Sequence, residues 1–371
     1  MWQSKSHYEN LRESLVAKLK DAKVDLDVVT MPDFFLDHSL ACNFDARSLT
    51  RRILSVASRG GGEIPEVPQS FEVGGNAAIC TLALAKLGVN VHPIMKTDAL
   101  GLSFIRYFYR DPTVDLAGVK STGSLSPTTI LEFRQGKSST NVMLGDISSI
   151  TPFTFEDLDS RDLAIIARAR YVCVFNWVYN RRGTDLAEGV FTYCRRHSNT
   201  LTFFDASDPR PRIEELADLD KRVLRNGLID VLGVNENEAL VFARLYDRKM
   251  KRENNIVLQA GKVISDNTGA EIRLHTADYS ASIREDGIVI IPAFSVTPRR
   301  GTGAGDSWNA GSIAADALEL TEEERLLFAN AVAARYVSNT KRVHSTLSDV
   351  IEFLQDASFK LKRIKGTRNY L

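Results

Sequence analysis

Short apolar runs alternate with amphipathic stretches along most of this chain, and that alternation leaves few architectures open. The runs at Val24–Met31, Val89–Met95, Tyr171–Phe175, Leu201–Asp205, Val231–Val234 and Ile288–Ile291 read as strands, and Ala77–Leu87, Arg212–Arg225, Glu236–Leu245 and Glu322–Val337 read as helices. Strands that are apolar throughout must be covered on both faces, so the pattern predicts an α/β fold with helices packed on each side of a mostly parallel sheet. At 371 residues the chain can bury a large core, as one extended domain or as two. It shows no internal repeat and no linker long enough to separate independent halves.

Two regions break the layer pattern. Phe35–Phe71 holds Gly60-Gly61-Gly62 and two prolines, and Phe104–Met143 holds a strand-like Thr128–Phe133 followed by Gln135-Gly136-Lys137. Both suit short strands and turns. Together they predict a small β-lid over the carboxyl edge of the main sheet, where open α/β proteins place their ligands.

Lys plus Arg equals Asp plus Glu at 47 each, so nothing in the charge balance favours nucleic acid or an anionic membrane as the main partner. No apolar run reaches the roughly 18 residues that span a bilayer. The N-terminal region mixes Lys18, Lys20, Asp21 and Lys23 with apolar residues where a signal peptide would have its core, so a cytoplasmic location is the default expectation. Cys42, Cys80, Cys173 and Cys194 lie far apart without paired spacing, which points to buried thiols and away from a disulfide framework or a zinc site.

Thr302-Gly303-Ala304-Gly305-Asp306-Ser307-Trp308-Asn309-Ala310-Gly311 puts small residues and a carboxylate where a loop should become a helix. Small residues let backbone amides crowd round an anion, and the first turn of a helix adds unpaired N–H groups. Asp306 would sit in that turn, either as a favourable charge beside a glycine-rich connection or as a base next to an anion hole. A pocket holding both amides and a carboxylate suits transfer of a phosphoryl group to a hydroxyl.

Other strand ends offer further candidates. In Phe71-Glu72-Val73-Gly74-Gly75-Asn76, the glycines allow close approach of a ligand or simply form a turn, and Asn76 can both donate and accept. Asp33 and Asp37 follow the first strand, and either carboxylate could take two hydroxyls of a polyol or remain a solvated loop group; His38 reads as structural. Asn235 and Glu238 have capping-box spacing, with a second reading in which the acidic group holds Mg²⁺ through water. Asp205-Ala206-Ser207-Asp208-Pro209-Arg210 ends a strand with carboxylates and a base, and could face phosphates or be a polar loop.

In this order the motifs resemble the ribokinase-like, or PfkB, family of carbohydrate and nucleoside kinases. The likeness runs from about Val24 to Val350 and is most specific at Gly303–Gly311. The resemblance implies a three-layer α/β/α sandwich with a mostly parallel central sheet and a small β-lid, forming one kinase domain over residues 1–371 with lid segments near 35–71 and 104–143. It implies an ATP- and Mg²⁺-dependent enzyme that transfers the γ-phosphoryl group to a hydroxyl of a small sugar or polyol. Nucleoside kinase and catalytically weak nucleotide or sugar sensor are the alternatives. By the same resemblance Asp306 is the catalytic base, and Gly303, Ala304, Gly305 and Asp306 form the anion hole. Asp37, Gly75, Asn76 and Arg300 contact the acceptor; Asn235, Thr276, Gly303 and Gly305 contact the nucleotide; Glu238 holds magnesium through water. The implied partner is a small polyhydroxylated substrate, with no nucleic acid and no membrane, and the lid offers a surface through which two copies could pair.

The chain departs from the family pattern at three places. Arg300-Gly301 stands where Asp-Thr is usual, Ile79 stands where an Asn usually follows the glycine pair, and Thr276-Ala277-Asp278-Tyr279-Ser280-Ala281 replaces Thr-x-Gly-x-x-Gly. Arg299 and Arg300 could recognise an acceptor carrying a phosphate or carboxylate, or point to solvent.

Overall fold

The computed structural model describes residues 5–135, 138–147, 150–250, 256–299, 302–339, 343–356, 358 and 360–362. Helix α1 (Lys5–Lys20) leads into strands β1 (Asp27–Met31) and β2 (Phe35–Cys42), helix α2 (Ala46–Ala57), strand β3 (Gln69–Gly74) and helix α3 (Asn76–Lys86). Strands β4 (Asn90–Pro93) and β5 (Met95–Lys96), helix α4 (Ala99–Phe108), and strands β6 (Val119–Lys120), β7 (Ser126–Gln135) and β8 (Ser138–Gly145) follow. Next come α5 (Ser160–Arg168), β9 (Tyr171–Phe175), α6 (Gly183–His197), β10 (Leu201–Asp205), α7 (Leu216–Leu219), β11 (Val231–Asn235) and α8 (Glu236–Ala243). The chain continues through α9 (Val257–Thr268), β12 (Glu271–His275), β13 (Tyr279–Arg284), β14 (Gly287–Pro292), α10 (Ala304–Ala317), α11 (Glu322–Ser338) and α12 (Leu347–Gln355).

Eight strands form the main sheet in the order β14-β13-β12-β11-β10-β9-β1-β4, parallel from β4 to β12 and antiparallel over the last two pairings. Neighbouring residues of one strand feed opposite cores, as alternate side chains on a pleated strand must. Val28, Cys173, Phe203 and Val231 enter one core with α3, α10 and α11; Val29, Val172, Phe204 and Leu232 enter the other with α6, α8 and α9. The mostly parallel α/β/α architecture expected from the alternation is therefore present. All four cysteines are free and buried. No described helix is long and apolar enough to cross a membrane.

A second sheet has the order β3-β2-β7-β8 and joins two distant parts of the chain, with β2 parallel to β7. Its strands take up only parts of the regions 35–71 and 104–143 and run past them to Gly74 and Gly145. Between β2 and β3 the chain winds into α2, capped by Asp45 and burying no residue, and Phe104 belongs to α4. The expected helix Arg212–Arg225 is also broken, into a 3₁₀ stretch, the short α7 and a π turn. Arg212 leaves helical geometry there, and its guanidinium donates to the carbonyls of Trp177, Asn180 and Arg181.

Helix α1 packs against α11 and α12. Arg12 donates to the carbonyls of Phe353, Leu354 and Asp356, and Lys18 pairs with Glu324 at 2.6 Å.

Candidate active site

Helix α10 begins with a cap that has no side chain to offer its first amides. Gly303 occupies the cap position in the left-handed region at φ +80°, and no side-chain hydrogen bond caps the helix among the described residues. Helices α8 and α11 differ, since Asn235 and Thr321 cap them through capping boxes, whereas α3, α6 and α9 also start without a side-chain cap. The bare N-terminus of α10 is a place where amides and helix dipole can receive negative charge. His275, at the end of β12, packs on Gly305 and stacks on Trp308 at 5.2 Å. Burial drives its imidazole down to about 4, so it is neutral in the working range.

Asp306 lies in the first turn of α10 and is only 6% exposed. Asn76 Nδ2 donates to its Oδ1 at 2.8 Å, while Ser207 Oγ donates to Asn76 Oδ1 at 2.9 Å. The amide of Ser207 donates to Asp205 Oδ1 at 2.9 Å, and Asn309 Nδ2 donates to Asp205 Oδ2 at 2.7 Å. Because Asn309 sits one turn beyond Asp306, these bonds close a ring from α10 through α3 and the end of β10 back to α10. Burial first, and then the charges of Asp205, Asp33 and Glu238, hold the Asp306 carboxyl well above the ordinary carboxylate range; the Asn76 bond acts the other way. Asp205 is itself pushed up to about 6, chiefly by burial.

The turn that carries Asn76 needs both of its glycines. A Cβ on Gly74 would lie 2.2 Å from Asp37 Oδ1, and one on Gly75, whose φ is +94°, would lie 2.6 Å from Asp33 Oδ2. Asp37 is opposite Glu72 on β3 and Thr128 on β7. Burial and then the Glu72 charge push Asp37 up to about 7, against a hydrogen bond with Thr128. Asp37 lines a cavity of about 630 Å³ between the small sheet and the α10 entrance, with Glu72, Ile79, Glu132, Arg299 and Thr302 also in its wall. Ile79, one of the departures from the family pattern, thus gives this wall an apolar patch.

The remaining expected site residues are placed as follows. Glu238 Oε2 accepts from the Asn235 amide at 2.9 Å and Oε1 from Asn235 Nδ2 at 2.7 Å, so the capping box is formed. The buried Glu238 carboxyl is nonetheless felt by Asp306, and burial followed by Asp205 pushes it up to about 8. The Thr276 hydroxyl is engaged within its own turn, donating to the Tyr279 carbonyl at 2.8 Å and accepting from the Asp278 and Tyr279 amides. Arg300 lies outside the described residues.

Several members of the cluster were less conspicuous in the sequence. Asn176 and Ser207 adopt left-handed φ of +55° and +59° after β9 and β10, an uncommon backbone for such residues and one often found at functional sites. Asn309 offered a signal in its helical spacing from Asp306; Asn176 offered only its place at a strand end.

No curated protein matches the chain in sequence. Among solved structures, the chain is similar to ribokinase from Thermotoga maritima, at 16% identity and a TM-score of 0.67, covering 90% of this chain and 100% of that one. It is similar to Arabidopsis thaliana ribokinase complexed with ribose and ATP, at 16% identity and 0.65, covering 90% and 99%. The nucleoside kinase from Methanocaldococcus jannaschii gives 15% and 0.63, again covering 90% and 99%. At these identities the likeness concerns the fold. The pfkB family carbohydrate kinase model matches residues 48–347, a span that takes in the Gly74-Gly75 turn, Asn235 to Glu238 and the Gly303–Asp306 helix start. The chain belongs to the pfkB family of carbohydrate kinases.

Proposed function

We propose that the protein transfers the γ-phosphoryl group of ATP to a hydroxyl of a small sugar or polyol. The observation that carries this reading is a buried carboxylate in the first turn of a helix whose amides have no side-chain cap. Asp306, with its proton affinity raised, accepts the hydroxyl proton as the oxygen attacks phosphorus; a base is most effective when its pKa approaches the working pH. The amides of Gly303 to Asp306 hold the charge on the transferring group. Asn76 fixes the Asp306 rotamer through one hydrogen bond. Asp37, Gly75 and Asn76 face the acceptor side.

ATP fits the bare α10 entrance, since triphosphate oxygens are acceptors and the helix start presents donors. Among the described residues no group of three His, Cys, Asp or Glu side chains could hold a metal directly. Magnesium at Glu238 would therefore be held through water and by the nucleotide phosphates, where it supplies charge neutralisation.

A sugar or polyol is favoured over a nucleoside because the cavity wall is mostly polar; Phe34, Phe35 and Tyr107 lie outside it, and Phe133 and Tyr336 are the aromatics that line it. Its wall carries Asp37, Ser39, Asn43, Glu132 and Asn141, groups that suit clustered hydroxyls. Arg299 in the same wall makes charged derivatives worth including. The test is acceptor-dependent ADP release with ATP and Mg²⁺ across neutral sugars, inositols, sugar phosphates, sugar acids and nucleosides, with product identification. Preference for a nucleoside would replace the sugar assignment within the kinase class. Tight ligand binding without transfer would identify a sensor.

A further inference from the structure

Taking Asp306 as the base of the proposed transfer, we infer that Asp33 is a positioning residue for that base. It pins the turn carrying Asn76, and its carboxyl group is one of the buried acidic groups that act on Asp306. Asp33 follows β1 and is fully buried. Its Oδ1 accepts from the Ala77 amide at 3.0 Å and its Oδ2 from Asn176 Nδ2 at 2.9 Å. These donors come from the start of α3 and from the residue after β9. The carboxylate thus ties the turn across the β1–β9 junction, where the strand order reverses direction and open α/β sheets bind ligands.

Gly75 closes directly over this carboxylate, as the 2.6 Å approach of a Cβ shows, so the backbone leading into Asn76 is set by Asp33. Asn76 then divides its side-chain amide between Asp306 and Ser207. A neutral amide at position 33 could accept on one atom only and would turn a donor towards the other partner. A carboxylate serves both donors at once and contributes a charge as well.

When ionised, Asp33 acts on Asp306 alongside Asp205 and Glu238 and raises its hold on the proton; burial raises the Asp33 carboxyl as well, and the bonds from Asn176 and Ala77 work to keep it ionised. Cys80 on α3 also feels Asp306, and the neutral His275 lies against Gly305, Tyr336 against Gly303 and His344 beside Ser307. Asp33 in turn faces Asp205, Cys80 and Tyr109. Removing one negative charge from this surrounding makes ionised Asp306 easier to form, so its pKa falls.

The experiment compares Asp33→Asn and Asn176→Ala with the wild type in two readouts. One is kcat, each KM and the pH profile of kcat/KM with ATP and the preferred acceptor. The other is the carboxyl ¹³C titration of Asp306, assigned by its loss in Asp306→Asn, which needs no turnover. D33N should lower kcat about 10- to 100-fold, the scale of a small misplacement, with little change in KM for ATP. It should also move the acid limb and the Asp306 titration to lower pH. N176A keeps the charge and loses one of the two bonds, so it should lower kcat less and leave both pH markers in place. An unmoved Asp306 titration in folded D33N overturns the inference, as does unchanged kcat in N176A if D33N fails to fold. A wild type without turnover but with the expected ¹³C shift would overturn the kinase reading alone.

Discussion

As the base of the proposed transfer, Asp306 must be both buried and ready to exchange a proton, and the residues around it meet those demands in different ways. Burial and three neighbouring carboxylates make its ionised form costly, while Asn76 holds it in place. Asp306→Asn keeps an oxygen to accept the Asn76 bond and removes the base. Turnover should fall by about 10²–10⁴-fold with ATP binding mostly retained; comparable turnover in the purified variant would remove Asp306 from the base role. The same substitution predicts a stability change of definite sign. A carboxyl whose folded pKa is raised contributes full stability below its unfolded pKa and loses it as pH rises through the folded value. The variant should therefore melt no lower than the wild type near neutral pH, with the gap closing towards acid, as followed by thermal unfolding across pH. Asp306 was legible because a carboxylate among small residues at a helix start is a local pattern. Asp33 stood beside Asp37 in the sequence with nothing to say which faced the cavity, because that depends on contacts with residues 44 and 143 positions away.

At the level of elements, α8 tests whether a cap can also serve chemistry. Both Glu238 oxygens engage Asn235, yet its carboxyl is buried within the electrostatic reach of Asp306. Glu238→Gln retains capping chemistry at that position and should cost well under about 2 kcal/mol, the upper end for losing a cap. Its Mg²⁺ titration of activity should shift several-fold to higher concentration. A sharp drop in melting temperature with an unchanged Mg²⁺ titration would leave Glu238 a cap only. Strands β9, β10 and β11 could be read from sequence because they are apolar on both faces. Strand β12 hid behind its polar residues: Arg273 is 2% exposed, engaged with Glu271, Asp316 and the Tyr171 hydroxyl, and no local pattern announces such a buried network. Helix α2 was masked for the opposite reason, since it lies in a glycine- and proline-rich region and buries nothing.

Across the whole molecule, the small sheet gathers strands from two separated stretches above the α10 entrance, so any closing motion would carry all four together. Adding acceptor should slow amide hydrogen exchange in β2, β3 and β7, since closure over the acceptor excludes water and disfavours ATP hydrolysis. Unchanged exchange at saturating acceptor would count against a lid role. The layered architecture could be read from alternating apolar runs, but the bounds of this sheet could not, because its pairing is between residues far apart in sequence. The position of β1 has one more consequence. It is an inner strand, paired on one side with β9 and on the other with β4, and it lies before residue 48, where the family match begins. A fragment trimmed to the matched span would have a gap one strand in from the edge of its sheet, two neighbouring strands with unpaired backbone edges, and neither Asp33 nor Asp37. The stretch of sequence that reveals ancestry is shorter than the stretch that can fold.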